Sequence, residues 1–353
     1  MLGAGSQSSA RHLIRLLTAA HILALAAAPA PAAEPVTVSA GITNVIADVG
    51  LFVADKRGYF AAENLKVSFV PFDAAARMIP PLASGELEVG GGGISAGLFN
   101  AVARGLGLKI VADKSTSAPG LGTGALMVRK DLIDSGRYKS AKDLKGMKVA
   151  VPAPGTGTST SIDRFLSTVG LSIADVDLTY LGFPQMVTAL QKSGVDAAFV
   201  VEPLRSAVEA SGAAVSIVRD DEMFPNHQIA VTLFSGRFIN ANRDAAVRFM
   251  RAFLRGTRDY NDVVKDGKLA GPGAEAIISI LTEYSLIKDP AIYRRIGVHG
   301  CDPDGKLNLP SLEADLAFFV AQGLIQGKVD VASAIDTSIA EAAVRDLGPY
   351  VRK

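Results

Sequence analysis

The chain has one cysteine, Cys301, among 353 residues, and only four histidines. One thiol closes no internal disulfide and builds no metal cage. An exported protein can do without disulfides when its core is large. His227 and His299 are the only histidines past residue 33, and neither has a second histidine at metal-ligand spacing, so no metal centre is expected. No cluster of histidine and cysteine marks a nucleophile, and no enzyme activity is expected. Cofactor motifs are missing as well: Gly155-Thr-Gly-Thr-Ser159 lacks the Gly-Lys-Ser/Thr ending of a P-loop, and Gly120–Gly124 is not G-x-G-x-x-G, so no cofactor is expected. Neither charge is in excess, with 36 Lys+Arg against 35 Asp+Glu. No basic block with interleaved aromatics occurs, which argues against nucleic acid or an anionic membrane surface as partner.

The first 33 residues stand apart. Arg11, His12 and Arg15 give a basic start, Leu16–Ala28 is apolar apart from Thr18 and His21, and small residues fill 29–33 before Glu34. That order predicts a secretory signal peptide over 1–33, with cleavage after Ala33. The apolar run falls short of the ~20 residues a membrane span needs, and no later stretch reaches that length without charges. Removing the leader's two arginines leaves 34 basic and 35 acidic residues, a net charge of −1. No cysteine follows the cleavage site to carry a lipid. The expectation is a soluble, freely diffusing, monomeric periplasmic protein. About 320 mature residues exceed what one hydrophobic core usually serves, so two domains are expected.

Short apolar strands alternate with helical segments. Strands are predicted over 36–40, 67–70, 88–90, 108–112, 125–128, 148–151, 177–181, 196–200, 215–218 and 229–234. Helices between them end at glycines 58, 85, 105, 170, 194 and 212, where a left-handed cap wants them. This rhythm implies an α/β fold with largely parallel sheets covered by helices. Residues 113–124, rich in turn formers, read as a crossing between lobes. From residue 241 the chain reads as mostly helical, over 242–262, 273–286, 311–322 and 338–346. The resulting division is 34–116 and 236–353 for the first lobe and 117–235 for the second, with crossings near 113–125 and 229–237.

Four phrases carry a resemblance. Gly58–Val67 fits "G-x-F-x-x-x-G-L-x-V", with Asn64 at the glycine position, a mild change because Asn tolerates positive φ. Leu82–Gly90 fits "aL-x-x-G-x-v-D-v-g" with Glu88 for Asp, Asp143–Val151 fits "dLkGkkVav", and Met186–Pro203 fits "m-x-x-A-L-x-x-G-x-v-D-A-a-x-x-x-E-P". In this order the chain resembles the nitrate/sulfonate/taurine-type solute-binding proteins of ABC importers, which include binders of thiamine-precursor pyrimidines. The resemblance spans roughly residues 36–240. It implies a type II-like periplasmic binding fold, a ligand cleft between two α/β lobes, and an inner-membrane ABC permease as partner. The substrate implied is a small solute, either an anion such as a sulfonate, carboxylate or nitrate, or a pyrimidine-like heteroaromatic. A pyrimidine-synthase-like enzyme on the same fold is the remaining alternative.

In open α/β sheets ligands sit beyond the carboxyl ends of strands, where loops lead into helix N-termini. Four such junctions are legible. They contain Thr43 and Asn44; Asp73; Gly92, Gly93 and Ser95; and Thr156, Gly157, Thr158 and Ser159. Glycines admit close backbone approach, and helix N-termini favour an anion or strong acceptor. The last two junctions hold no Lys or Arg, so recognition is expected to rest on neutral donors. Glu202, just after a strand, suits either a ligand amine or hydroxyl or the start of a helix. Phe183 and Gln185, before another helix, suit either the cleft wall or packing.

Overall fold

The computed structural model describes residues 34–352, so the predicted signal peptide lies outside the described residues. Ten strands form two five-stranded sheets. The first contains β1 (Val36–Ile42), β2 (Leu65–Pro71), β3 (Val89–Gly93), β4 (Lys109–Ser117) and, from far along the chain, β10 (His227–Phe234), in the order β2-β1-β3-β10-β4. The second contains β5 (Gly124–Arg129), β6 (Lys148–Val151), β7 (Asp177–Tyr180), β8 (Ala197–Val201) and β9 (Ala214–Arg219), in the order β7-β6-β8-β5-β9. The two orders correspond strand for strand. In each sheet four strands run in one direction, and the fifth, β10 or β5, runs antiparallel to both its neighbours.

The sheets are therefore mixed rather than largely parallel. The antiparallel strands are those that follow a crossing: a chain arriving from the other half enters its sheet from the opposite end. Two boundaries also move. Residues 113–117 continue β4 instead of forming a turn. The expected return crossing at 229–237, with the second lobe ending at 235, gives way to an earlier one, because β10 already pairs with β4 from His227 and with β3 from Ala230.

Period-two burial explains the strands. In the second sheet Leu126 and Val128, Val149 and Val151, and Ala197 and Phe199 enter one core, while Met127, Ala150, Ala198 and Val200 enter the core on the other face. Side chains alternate across a sheet, so a strand covered on both faces reads as a continuous apolar run. The helix stops follow local chemistry. Gly58, Gly85 and Gly105 have φ of 72°, 75° and 74°, and Asn64, at the glycine position of the first resembled phrase, takes φ 52°. The stop expected at Gly194 is made one residue earlier, by Ser193 at φ 58°.

The C-terminal third returns to the first sheet. Helices Arg243–Val263, Ala274–Tyr284 and Ser338–Leu347 share one core with β1, and a two-stranded ribbon at 264–269 interrupts the helical reading. Helix Leu309–Ala321 packs Leu312, Leu316 and Phe319 against the other face of the first sheet, while Phe318 also touches the core of the second. Among the described residues no helix is long and apolar enough to cross a membrane.

Candidate ligand-binding site

The four junctions meet one another across the two lobes. After β1, the Ile46 N–H donates to the carbonyl of Glu202, which follows β8, at 3.3 Å. Beyond β2, the Asp73 carbonyl accepts from Phe183 N–H, past β7, at 3.2 Å. The junctions after β3 and β6 exchange two bonds, Ala96 N–H to Gly155 carbonyl at 2.7 Å and Gly157 N–H to Ile94 carbonyl at 3.1 Å. These flank an antiparallel bridge between Ser95 and Thr156. Strand ends from both sheets thus converge on one closed seam.

Behind the seam lies a cavity of about 80 Å³. Thr43, Gly92, Gly93, Thr156, Gly157, Thr158 and Phe183 line it, as the junction argument expects. The Thr156 hydroxyl is buried without a partner, and a buried orphan hydroxyl is a group that a ligand or water satisfies. Gly157 opens the 11-residue helix Gly157–Ser167; its own N–H goes to Ile94 and those of Ser159 and Thr160 go to the Thr156 carbonyl, which leaves the Thr158 N–H as the first-turn donor at the cavity. A side chain at Gly92 would meet the Ala75 Cβ at 2.2 Å, whereas a Cβ at Gly93 meets nothing nearer than the Ile229 carbonyl at 3.4 Å. Gly92 is thus fixed by packing, and Gly93 is open toward the cavity.

The other six expected residues do not line this cavity. Asn44 donates from its side chain to the Tyr284 carbonyl at 3.0 Å and its own carbonyl accepts from Leu286 N–H, so it pins the C-terminal region to the first lobe. The Asp73 carboxylate pairs with Arg77 at 3.1 Å. Ser95 is an N-cap whose hydroxyl accepts from Leu98 N–H. Gly93-Ile94-Ser95-Ala96-Gly97 has the Gly-x-Ser-x-Gly spacing of a nucleophile elbow, but Ser95 is 1% exposed and spends its oxygen on that cap. Ser159 is buried with an unpartnered hydroxyl and borders a separate groove with Tyr180 and Phe318. Gln185 lies in a shallow outer groove.

Glu202 is fully buried. Its Oε1 accepts from Arg205 Nε at 2.8 Å and from Ser206 Oγ at 2.9 Å, and its Oε2 from Ser206 N–H at 3.1 Å. Burial raises its pKa, and the Arg205 charge opposes that rise. With both oxygens engaged it starts the helix Leu204–Ala210 rather than facing a ligand.

The main residue missed is Lys114. It lines the cavity from β4 at 2% exposure, and its Nζ lies 2.8 Å from Asp48 Oδ1. The two loops carry no cation, but the neighbouring strand brings one to the cavity wall. Asp48 Oδ2 accepts from the N–H groups of Thr43 and Val45, at 3.0 and 3.2 Å, which shapes the first junction. Close by, buried His299 stacks on Tyr260 at 5.1 Å, and burial brings its pKa down to about 4. The Cys301 thiol is buried and its pKa is pushed well up. Ser115, Thr123, Phe199, Ile229 and Ala230 are among the other lining residues that were missed.

The profile of the NMT1-like family matches residues 31–268. The chain belongs to the NMT1-like family. The taurine-binding periplasmic protein of Escherichia coli K12 is 29% identical over 161 residues, 45% of this chain and 47% of that protein. The chain thus spans about half the length of that curated relative. Among solved structures, the alkanesulfonate-binding protein SsuA from Xanthomonas axonopodis pv. citri, bound to MOPS, superposes with a TM-score of 0.68 at 22% identity, covering 86% of this chain and 99% of its own. The periplasmic nitrate-binding protein NrtA from Synechocystis PCC 6803 superposes at 0.74 with 13% identity, covering 89% and 90%. The architecture of this family member is the periplasmic binding protein fold.

Proposed function

We propose that this NMT1-like protein is the solute-binding component of an ABC importer. It captures a small anionic solute in the periplasm and delivers it to a membrane permease. The observation that carries this reading is the seam: strand-end junctions of both lobes bond directly over one small cavity. A solute inside touches both lobes only when they are closed, so it binds that state more tightly and shifts the population toward it. The helix N-terminus at Gly157 and the hydroxyls of Thr156 and Thr158 supply donors suited to a sulfonate, carboxylate or nitrate head. The relatives named above, binders of taurine, alkanesulfonate and nitrate, support the same chemistry. The lobes move about the segments at 118–123 and 220–226. Residues 1–33 direct export, and the mature protein acts as a monomer without catalysis or cofactor.

A second reading has its own support. Phe183 and Phe199 both line the cavity, and aromatic walls suit a neutral heteroaromatic such as a pyrimidine. A thermal-shift screen of the mature protein against sulfonates, carboxylates, nitrate, amino acids and pyrimidines separates the two. Ligand at 100 times its Kd adds about 2.7 kcal/mol of stability. Stabilisation by anions is expected. Stabilisation by pyrimidines alone selects the second reading, and no shift with any class refutes both.

A further inference from the structure

The cavity wall contains a single cation held from behind. Lys114 Nζ is paired with Asp48 Oδ1 at 2.8 Å, and an ammonium has three donors, so the pair leaves capacity for another acceptor. The stem is locked in place: a Cβ at Gly91 would come within 2.6 Å of Lys114 Cε. From the other lobe, the buried, unpartnered hydroxyl of Thr156 lines the same space. Most of the remaining wall is apolar, including Val45, Ile46, Ala75, Phe183, Phe199 and Ile229, and no acidic side chain lines it.

We propose that Lys114 is the anion-recognising residue of this site and that the ligand is a monoanion, a carboxylate or sulfonate, with an uncharged apolar body. The proposal rests on the solute-binding reading and narrows it. Asp48 already neutralises much of the lysine charge, so a dianion would bury surplus negative charge in a closed apolar space. A zwitterion such as taurine or an amino acid would bury an ammonium with no carboxylate free to pair with it, because both Asp48 oxygens and both Glu202 oxygens are engaged. The site therefore selects against the amino group that the name of the curated relative carries.

The test is calorimetry on the mature protein with ethanesulfonate, propanoate and benzoate, against taurine, alanine and sulfate, and with pyrimidine as the neutral probe. The wild type is expected to bind at least one of the three monoanions at least tenfold more tightly than taurine, alanine or sulfate. The double variant Lys114→Met/Asp48→Asn removes the pair without stranding either partner, and is expected to lose at least tenfold for that monoanion. If it binds as the wild type does, Lys114 is not the recognising residue, while the importer reading stands. Should circular dichroism show that the double variant is unfolded, the wild-type panel decides: taurine, alanine or sulfate binding as tightly as every monoanion overturns the proposal. Binding of pyrimidine alone overturns both the proposal and the anion reading beneath it.

Discussion

Gly155→Ala tests whether the seam is the closing contact. Gly155 adopts φ 57°, a left-handed conformation that costs an ordinary residue roughly 1–2 kcal/mol. That cost falls on the second lobe whether the lobes are open or shut. Closure adds another. A Cβ at 155 would lie 2.8 Å from the Ala96 Cβ and 2.9 Å from Leu324 Cδ1. Leu324 can swing aside, but the Ala96 Cβ is fixed to its helix, which begins in the other lobe. The Ala96 N–H to Gly155 carbonyl bond at 2.7 Å holds the two backbones at that separation. Overpacking of this kind costs about 1–3 kcal/mol, and it is felt only in the closed state. Ligand affinity should therefore fall by roughly 5- to 150-fold, at tenfold per ~1.4 kcal/mol, while the ligand-free protein loses only the conformational cost. Calorimetry with a ligand from the screen measures the first quantity, and denaturant unfolding without ligand the second. Unchanged affinity together with the expected loss of stability would refute the view that closure brings these junctions together.

Thr158→Ala removes a hydroxyl from the cavity wall and should weaken binding of a charged ligand by ~1.5–3 kcal/mol, or of a neutral one by ~0.5–1.5; titration calorimetry reads the difference. Gly93→Val should abolish binding while circular dichroism stays native, because its Cβ site is uncrowded but faces the cavity. Cys301→Ser should leave affinity within about threefold, since the thiol is buried away from the cavity lining; a tenfold loss contradicts this. Stability should depend on pH in a definite direction. Burial lifts Asp113 and Asp220 from 3.8 to about 7, so between those values the native state holds more protons than the unfolded one, and stability falls as pH rises. His299, brought from 6.5 down to about 4, acts oppositely between those values. Between pH 4 and 6.5 the two aspartates outweigh His299 by one proton, or roughly 1.4 kcal/mol per pH unit, and the raised Glu202 carboxyl acts in the same direction, so melting temperature should decline from about pH 4.5 to 7 and then level off; a rise over that interval contradicts the assignment.

Much of the architecture was legible because the cues were local. Lys148–Val151 and the helix at 204–210 follow from an apolar run or an apolar face closed by glycine. The error at residues 113–117 has a physical origin. Asp113-Lys-Ser-Thr-Ser117 looks like loop because a strand is identified by burial of apolar groups, and this strand buries polar ones: Asp113, Lys114, Ser115 and Ser117 are all at most 2% exposed. Each needs a partner that is distant in sequence. Asp113 accepts from Gln228 and from Asp302 N–H, and Lys114 meets Asp48. No window along the chain contains those pairs. The one available signal was an Asp-Lys pair directly continuing an apolar strand with no glycine or proline until Pro119. Asp73, Gln185 and Glu202 lie off the cavity wall for a related reason. Sequence places a residue at a strand end but does not tell which side of the junction its side chain takes, and these three turn toward local donors or the outer surface.

The same long-range polar pairs govern how the lobes can move. The first crossing is tied to the second by carboxylates: Asp221 Oδ2 accepts from Gly120 N–H at 2.9 Å and Asp220 Oδ2 from Gly124 N–H at 2.9 Å. Further along, His227, at the start of β10, joins Ser161 of the second lobe at 3.0 Å and Asp315 of helix Leu309–Ala321 at 2.9 Å. These contacts are side-chain bonds among buried groups, which are costly to strand. The cavity seam is instead built from backbone bonds whose groups can return to water on opening, each worth only about 0.5–1.5 kcal/mol net. Separation should therefore begin at the seam while the crossings stay joined, and the His227 cluster, which borders Gly157, must loosen with it; this makes the cavity the moving edge and the Asp220–Asp221 region the axis. On this arrangement a ligand needs only a few kcal/mol of contact with both walls to hold the protein shut, and Lys114 in one lobe with Thr156 in the other are placed to supply it.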